Sequence, residues 1–202
     1  MKLYTNPASP FCRKIEVLLH EARCVDLVDT EAAGGTPVEP GTLPITINPI
    51  GKIPTLVLDD GRAFYDSRVI ARFLDDKCAS NLYLDAALWD VLTLEATGDG
   101  ISDAAVLMVY EGRVRPEDIQ YAPYVESQWA KVTRALDHLE NQSMTLLDGP
   151  LTIGHIAVGC ALGYLDFRHG ARDWRVSRPA LAAWYDTFAK RPSMQATQPP
   201  PA

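Results

Sequence analysis

The sequence predicts an α/β domain over residues 1–78 and an all-helical domain over residues 86–202, joined by a linker at 79–85. Before residue 78, short apolar segments of strand length alternate with segments of helical periodicity. After residue 86, apolar residues recur at helical spacing, and no segment has a convincing strand pattern. A chain of 202 residues is long enough for two small domains, each with its own core.

The first strand is predicted over residues 2–5 and ends at Asn6-Pro7. Ser9-Pro10 then predicts a helix start, because serine is a favoured N-cap and proline is favoured at the first helical position. The apolar residues that follow, Phe11, Ile15, Leu18 and Ala22, have helical spacing. A second strand is predicted over residues 25–28.

Four prolines between residues 34 and 49 predict irregular chain with at most a short helix. Residues 55–58 and 62–65 flank Asp59-Asp60-Gly61, which is a strong hairpin signal. A second amphipathic helix begins at Ser67. This order of elements predicts an α/β unit with an antiparallel edge.

The C-terminal half is predicted to form helices over residues 86–113, 117–141, 152–165 and 179–190. Gly98 and Gly100 predict a bend in the first of them. The helix over 152–165 is rich in small residues, which predicts that it is buried with neighbouring backbones close by. Residues 198–201 read as a frayed tail.

Composition excludes several functions. A formal net charge of −7 argues against a nucleic-acid surface. No apolar segment approaches the about 20 residues that span a bilayer, so we expect no membrane association. The four cysteines form no metal-ligand pair, and no export signal opens the chain, so reduced thiols in the cytoplasm are expected.

Three motifs in the N-terminal half carry chemistry. They are Ser9-Pro10-Phe11-Cys12-Arg13, Asn48-Pro49-Ile50-Gly51-Lys52-Ile53-Pro54, and Asp66-Ser67. Each is common as a turn or a helix cap, but their order and their separations, about 40 and about 12 residues, are distinctive. Together they resemble the cytosolic glutathione S-transferase family, and the resemblance covers essentially the whole chain. It is strongest to bacterial members with serine at the active position, which the segment 161–168 also resembles.

This resemblance implies a thioredoxin-like N-terminal domain and a helical C-terminal domain. It implies glutathione as co-substrate, no metal, and Ser9 as the catalytic residue. The hydroxyl of Ser9 would donate a hydrogen bond to the glutathione sulfur at the positive end of a helix, which stabilises the thiolate.

Cys12 is the alternative catalytic residue. In thioredoxin-like folds a Cys-x-x-Cys pair occupies this turn, whereas here the first position is Ser9. Cys12 is either a small packing residue, a thiol for mixed-disulfide chemistry with glutathione, or a group that assists the bound sulfur.

The resemblance also implies the remaining glutathione contacts. Ile53, before a cis Pro54, would exchange backbone hydrogen bonds with the cysteinyl part. Ser67 would hold the γ-glutamyl carboxylate and Asp66 the ammonium. Lys52 would meet the glycyl carboxylate, or it is a solvated lysine. Phe11 would also border the tripeptide.

The second substrate is expected between the two domains, in a pocket lined by Phe11, Val106 and Tyr110, although core packing is an alternative role for each. A homodimer is implied by the family, with Asp103 reaching across to the partner's ligand. Thr152-Ile-Gly-His155 replaces a Ser/Thr-x-x-Asp capping box, which predicts a structural cost and no catalytic role for His155.

Three functions therefore remain open. The first is a transferase that adds glutathione to a small hydrophobic electrophile, typically in detoxification. The second is a glutathione-dependent thiol-disulfide reductase or peroxidase that uses Cys12. The third is a non-catalytic family member that binds a ligand or recruits a partner. The sequence does not identify the electrophile, since its pocket has no motif.

Overall fold

A four-stranded mixed sheet forms the N-terminal part of the computed structural model, which describes residues 1–200. The strands are β1 (Lys2–Thr5), β2 (Asp29–Ala32), β3 (Thr55–Val57) and β4 (Ala63–Phe64). Their order in the sheet is β2-β1-β3-β4. β1 is parallel to β2 and antiparallel to β3, and β3 is antiparallel to β4, so the predicted antiparallel hairpin is confirmed.

The prediction of a strand over residues 25–28 is wrong. Residues Val25–Leu27 form a single 3₁₀ turn, and the strand follows at Asp29–Ala32. All four residues of β2 are exposed, because the strand lies at the sheet edge and pairs only with β1. An edge strand of polar residues has no apolar alternation, so the pattern of the sequence pointed to the apolar turn beside it.

Two helices of the N-terminal part, α1 (Pro10–Glu21) and α2 (Ser67–Cys78), pack against each other. Ser9 is the N-cap of α1 and Pro10 its first residue, as predicted. Asp66 is the N-cap of α2, and Ala79 ends that helix in the left-handed region. The apolar faces of α1 and α2 join Leu3 and Leu56 of the sheet in the hydrophobic core.

The remainder of the chain is mostly helical. The helices are α3 (Leu88–Val114), α4 (Ala122–His138), α5 (Met144–Leu147), α6 (Ile153–His169), α7 (Pro179–Phe188) and α8 (Pro192–Ala196). A π-helical turn over Leu139–Ser143 joins α4 to α5. No helix in residues 1–200 is both long enough and apolar enough to cross a bilayer. Position 201 of the predicted tail lies outside the described residues.

α3 is one continuous helix, so neither Gly98 nor Gly100 ends it, and the predicted bend stays a prediction. Gly98 permits close packing: a Cβ there would lie 2.6 Å from the carbonyl carbon of Ala157 on α6. Gly100 is exposed and has no neighbour within 4 Å of such a Cβ. The two glycines therefore differ in role, and α6 is buried from Ile153 to Leu165, as its small residues predicted.

His155 completes a capping box at the start of α6. The backbone N–H of Thr152 donates to Nδ1 of His155 at 3.2 Å. Burial lowers the pKa of His155, which keeps the ring neutral and able to accept this bond. The other ring nitrogen, Nε2, is buried and has no hydrogen-bond partner in the described part of the chain. The histidine thus replaces the carboxylate of the motif but leaves one polar atom unsatisfied.

The segment 191–197 is tied to α1. Arg191 forms a bidentate pair with Glu21 at 2.8 and 2.7 Å, and Ser193 also donates to Glu21. The buried Arg13 donates to the carbonyl oxygen of Met194 at 3.0 Å. The helix that Ser9 caps is therefore held near its start and at its end by residues at least 170 positions later.

Candidate functional site

The topology of the sheet brings the three motifs to one edge, where β1 and β4 end and β3 begins. Tyr4 pairs with Thr55, so the chain that leaves β1 toward Ser9 lies beside the chain that enters β3 from Ile53 and Pro54. Leu56 pairs with Phe64, so the chain that leaves β4 toward Asp66 reaches the same edge. Three segments that are far apart in sequence thus meet at the N-termini of α1 and α2.

Ser9 is half-buried at the N-terminus of α1. Its Oγ accepts a hydrogen bond from the backbone N–H of Cys12 at 3.3 Å. Because this bond uses a lone pair of the hydroxyl, the hydroxyl proton stays available for an outside acceptor. The first turn of α1 contains no acidic residue, so no side chain there offsets the positive end of the helix dipole.

Cys12 is fully buried, one turn into the helix. Burial raises the pKa of its thiol to about 11, although the hydrogen bond of Ser9 acts in the opposite direction. A thiol with this pKa is almost entirely protonated at neutral pH and is a weak nucleophile. All four cysteines carry free thiols.

The loop before β3 is fixed by Asn48. Its buried side chain donates to the carbonyl oxygen of Lys52 at 2.9 Å and to Oγ1 of Thr55 at 3.0 Å. Its Oδ1 also accepts from the backbone N–H of Ile50 at 3.0 Å. The peptide bond between Ile53 and Pro54 is cis. Sequence reasoning treated Asn48 as part of a turn, whereas its amide joins both ends of this loop.

Asp66 and Ser67 lie where α2 begins. The Oδ1 of Asp66 accepts from the backbone N–H of Arg68 at 3.0 Å, and Ser67 is buried as the first residue of the helix. The N-terminus of a helix presents free backbone N–H groups, which suit a carboxylate ligand. The predicted helix start at Ser67 is confirmed, while ligand binding by this pair stays a prediction.

Asp103 of α3 has an exposed side chain, yet desolvation of its carboxyl and the charge of Asp99 raise its pKa. The positive charges of Lys52 and Arg68 oppose this rise, so both lie within electrostatic range of Asp103 in the same chain. Lys52 is exposed, and only its backbone carbonyl is used in the loop. The edge with the three motifs thus faces α3.

A small, open cleft lies beside Ser9 on the side of α6. It is lined by loop, helix and tail residues: Pro7, Ala8, Ser9, Pro10, Arg13, Cys160, Tyr164, Phe167 and Pro199. The residues predicted for the second-substrate pocket, Phe11, Val106 and Tyr110, are half-buried and do not line this cleft. Tyr164 and Phe167 come from the segment 161–168, which sequence reasoning singled out by resemblance alone.

An ion cluster joins α1 and α2 to α3, and it consists of the buried Lys14, Glu95 and Asp99 with the half-exposed Arg68. Nζ of Lys14 lies 3.0 Å from Glu95 and 2.9 Å from Asp99, and Nε of Arg68 lies 2.8 Å from Asp99. Burial raises the pKa of Glu95, against the charge of Lys14. Sequence reasoning missed the cluster, although two acids four residues apart on a mostly apolar helix were a signal for it.

A mixed sheet with α1 and α2, followed by an all-helical remainder, defines a thioredoxin-like fold with a helical C-terminal part. Residues 8–77 match the N-terminal domain of glutathione S-transferases, and residues 120–187 match their C-terminal domain. The chain belongs to the glutathione S-transferase family.

Several similar proteins come from bacteria. The uncharacterized GST-like protein YibF of Escherichia coli is 33% identical over 207 residues, covering 100% of both chains. A glutathione transferase family member from Pseudomonas fluorescens Pf-5, crystallised with bound glutathione, is 45% identical with a TM-score of 0.96, and 98% of each chain is covered. A structure of a Pf-5 family member with bound S-(propanoic acid)-glutathione is 44% identical with a TM-score of 0.92, covering 99% of this chain and 100% of the other.

Proposed function

We propose that this protein is a glutathione transferase, in which Ser9 stabilises the thiolate of bound glutathione for attack on a small hydrophobic electrophile. The observation that carries the proposal is the hydrogen bond from the backbone of Cys12 to Oγ of Ser9 at the N-terminus of α1. It orients the hydroxyl and leaves its proton for the sulfur. The bound glutathione in the Pf-5 relative supports the choice of ligand.

The energy required is within reach of these groups. A thiol such as that of glutathione ionises near pH 8.5, and lowering this pKa by 2 units needs about 2.7 kcal/mol. A hydrogen bond to a charged acceptor supplies about 1.5–3 kcal/mol. The helix N-terminus supplies up to about 2 kcal/mol. No covalent step on the protein is needed.

The burial of Cys12 favours Ser9 as the activating residue. A fully buried thiol with its pKa raised to about 11 cannot exchange readily with a disulfide. In the conjugate bound to the Pf-5 family member, the glutathione sulfur carries a propanoic acid group. This supports conjugation over thiol-disulfide exchange for the present chain.

We assign the other glutathione contacts to the edge that the three motifs share. The backbone of Ile53, before Pro54, pairs with the cysteinyl part, and the loop is held for this by Asn48. Ser67 and the start of α2 bind the γ-glutamyl carboxylate, and Asp66 faces the ammonium. Lys52 meets the glycyl carboxylate, while Phe11, in the first turn of α1, borders the tripeptide.

We also propose a homodimer, with Asp103 of one subunit near the ligand of the other. Val69 on α2 and Trp89 on α3 are exposed by 48% and 78%, and large exposed apolar side chains mark interaction surfaces. Light scattering of the purified protein measures the mass directly, and a monomer at micromolar concentration would refute the dimer.

We further propose that the protein has two domains, over residues 1–78 and 86–202. We place it in the cytoplasm, with a role in detoxification.

The test is a pH titration of the thiolate absorbance of bound glutathione in wild type and Ser9→Ala. We expect wild type to hold thiolate about 2 pH units below the free tripeptide. Ser9→Ala is expected to bind glutathione without this shift. Cys12→Ala is the matched control one turn along the same helix, and it is expected to retain the shifted titration.

The other outcomes are equally clear. If wild type binds glutathione with its thiol unshifted, thiolate activation by Ser9 is refuted. If Cys12→Ala, and not Ser9→Ala, abolishes the shift, the chemistry belongs to Cys12. If wild type does not bind glutathione, the non-catalytic function replaces this proposal.

A further inference from the structure

The cleft beside Ser9 has an unusual charge. Among its lining residues in the described part of the chain, Arg13 is the one with a charged side chain. The protein as a whole carries 26 acidic and 19 basic residues, so a positively charged cleft is not a consequence of composition. A positive charge in a small concave site favours an anionic ligand.

Arg13 is buried to 6% exposure and forms no ion pair within residues 1–200. Its guanidinium donates to the carbonyl oxygen of Met194 and to Oγ1 of Thr197 at 3.4 Å, which are neutral acceptors. Burial of a charge without a counter-charge is costly. An anion in the cleft would compensate this charge.

Tyr164 and Arg168 of α6 add two further donors. Tyr164 lines the cleft, and its hydroxyl lies within hydrogen-bond range of the side chain of Arg168. Burial raises the pKa of Tyr164 to about 12, so the hydroxyl is a donor at neutral pH, and the charges of Arg168 and Arg113 act against this rise. The guanidinium of Arg168 stacks on Phe167, 3.8 Å from the ring centroid.

The arginines that follow Arg168 behave differently. Arg172, Arg175, Arg178 and Arg191 each pair with a carboxylate, at 2.6 to 2.7 Å. Arg168 has no carboxylate within 4 Å in residues 1–200, although it is half-buried. Its guanidinium contacts Phe167 and Tyr164, so its charge is not compensated by an acidic side chain in the described part of the chain.

We propose that the second substrate of this transferase is a small electrophile that carries a carboxylate, bound by Arg168 and Tyr164 in the field of Arg13. This inference rests on the proposed function and specifies its substrate class. The carboxylate would lie against α6, so the reactive carbon would point toward Ser9. Arg168 and Tyr164 are then determinants of specificity, whereas Ser9 activates the sulfur.

The test compares two chlorides that differ in one group, 4-chloro-3-nitrobenzoate and 4-chloro-3-nitrobenzamide. With either, the glutathione thiolate attacks the carbon that bears chlorine, a C–S bond forms, the C–Cl bond breaks and chloride leaves. The thiol proton goes to solvent, so no oxidant or reductant is needed. Each kcat/KM is divided by the uncatalysed rate constant to remove the difference in intrinsic reactivity.

We expect wild type to favour the benzoate. Arg168→Met should lower the normalised kcat/KM for the benzoate by about 10- to 100-fold, the range for hydrogen bonds to charged groups, and leave the benzamide nearly unchanged. Arg168→Lys should recover part of the loss, and Tyr164→Phe should lose less than Arg168→Met. Arg172→Met is the matched control, because the charge of Arg172 is already paired with Glu126, whereas Arg168 has no carboxylate partner in residues 1–200.

The inference is overturned if Arg168→Met lowers both substrates equally while Arg168→Lys restores neither, or if wild type favours the benzamide. A wild type that conjugates a neutral chlorodinitrobenzene but not the benzoate refutes the inference alone. A wild type that conjugates none of these compounds refutes the proposed function, and the inference with it. Circular-dichroism melting of each variant separates a loss of fold from a loss of specificity.

Discussion

Replacing Lys14 by methionine would remove the ammonium from the ion cluster while keeping the apolar length of the side chain. Lys14 is 1% exposed, and its Nζ contacts Glu95 and Asp99 at 2.9 to 3.0 Å. Arg68, which is half-exposed, would remain as the one cation for two buried carboxylates. We expect Glu95 to be protonated in this variant, because burial already raises its pKa.

The loss in the free energy of unfolding of Lys14→Met follows from that protonation. A glutamate with an ordinary pKa of 4.5 costs about 3.4 kcal/mol to hold neutral at pH 7, at 1.36 kcal/mol per unit. At pH 5 the same protonation costs about 0.7 kcal/mol. A carboxyl whose folded pKa is raised stabilises the fold at low pH and loses this contribution as pH rises. The deficit of Lys14→Met should therefore shrink as pH falls.

The assay is urea unfolding at fixed protein concentration, followed by tryptophan fluorescence at pH 7 and pH 5. The double variant Lys14→Met/Glu95→Gln leaves Asp99 paired with Arg68, and we expect it to recover about 2 kcal/mol of the loss at pH 7. Lys2→Met is the control, because Lys2 pairs with Glu31 at 2.6 Å with both side chains about half-exposed, and it should have little effect on the free energy of unfolding. A deficit for Lys14→Met that is below about 1 kcal/mol at pH 7, or equal at both pH values, would refute the reasoning.

Two other predictions follow from packing and capping. Gly98→Ala should lower the free energy of unfolding by about 1–3 kcal/mol, because the added Cβ meets the backbone of α6. Gly100→Ala should raise it by up to about 1 kcal/mol, because Gly100 is exposed and alanine is the better helix former. Urea unfolding at pH 7 compares the two variants, and equal effects would contradict the packing role of Gly98. His155→Asp should raise the melting temperature, because it removes the unpartnered Nε2 and keeps an acceptor at the start of α6. Since the pKa of His155 is lowered in the fold, the parent protein loses stability as pH falls below 6.5. The gain in melting temperature of His155→Asp should therefore be larger at pH 5 than at pH 7. A variant whose melting temperature does not rise at either pH would contradict this prediction.

Local chemistry made much of the fold predictable. Ser9-Pro10 and Asp66-Ser67 start helices through their own side chains and backbone, and Asp59-Asp60-Gly61 turns the hairpin, so no distant residue is needed to recognise them. The position of β2 was not predictable in this way, because an exposed edge strand is defined by its pairing with β1. The role of Gly98 also depends on α6, which lies about 60 residues later.

The same distinction applies to the candidate site. The order of the three motifs placed their residues in one family arrangement, and the sheet register brings them to one edge. The cleft on the side of α6 could not be read from spacing, since its residues come from a loop, two helices and the segment near residue 199. The amide of Asn48 likewise acquires its role from Lys52 and Thr55, which close the loop around it.

The bonds between α1 and the segment 191–197 have a consequence during synthesis of the protein. α1 leaves the ribosome early, but the partners of Glu21 and Arg13 are translated about 170 residues later. Until then both charged side chains lack those partners, and α1 lacks its contacts with Arg191 and Met194. A nascent chain or a product cut before residue 191 therefore contains every glutathione-site residue that we propose, but Ser9 and Phe11 lie on a helix that lacks these contacts. The contacts that hold α1 against the segment 191–197 therefore form only after most of the chain has been translated.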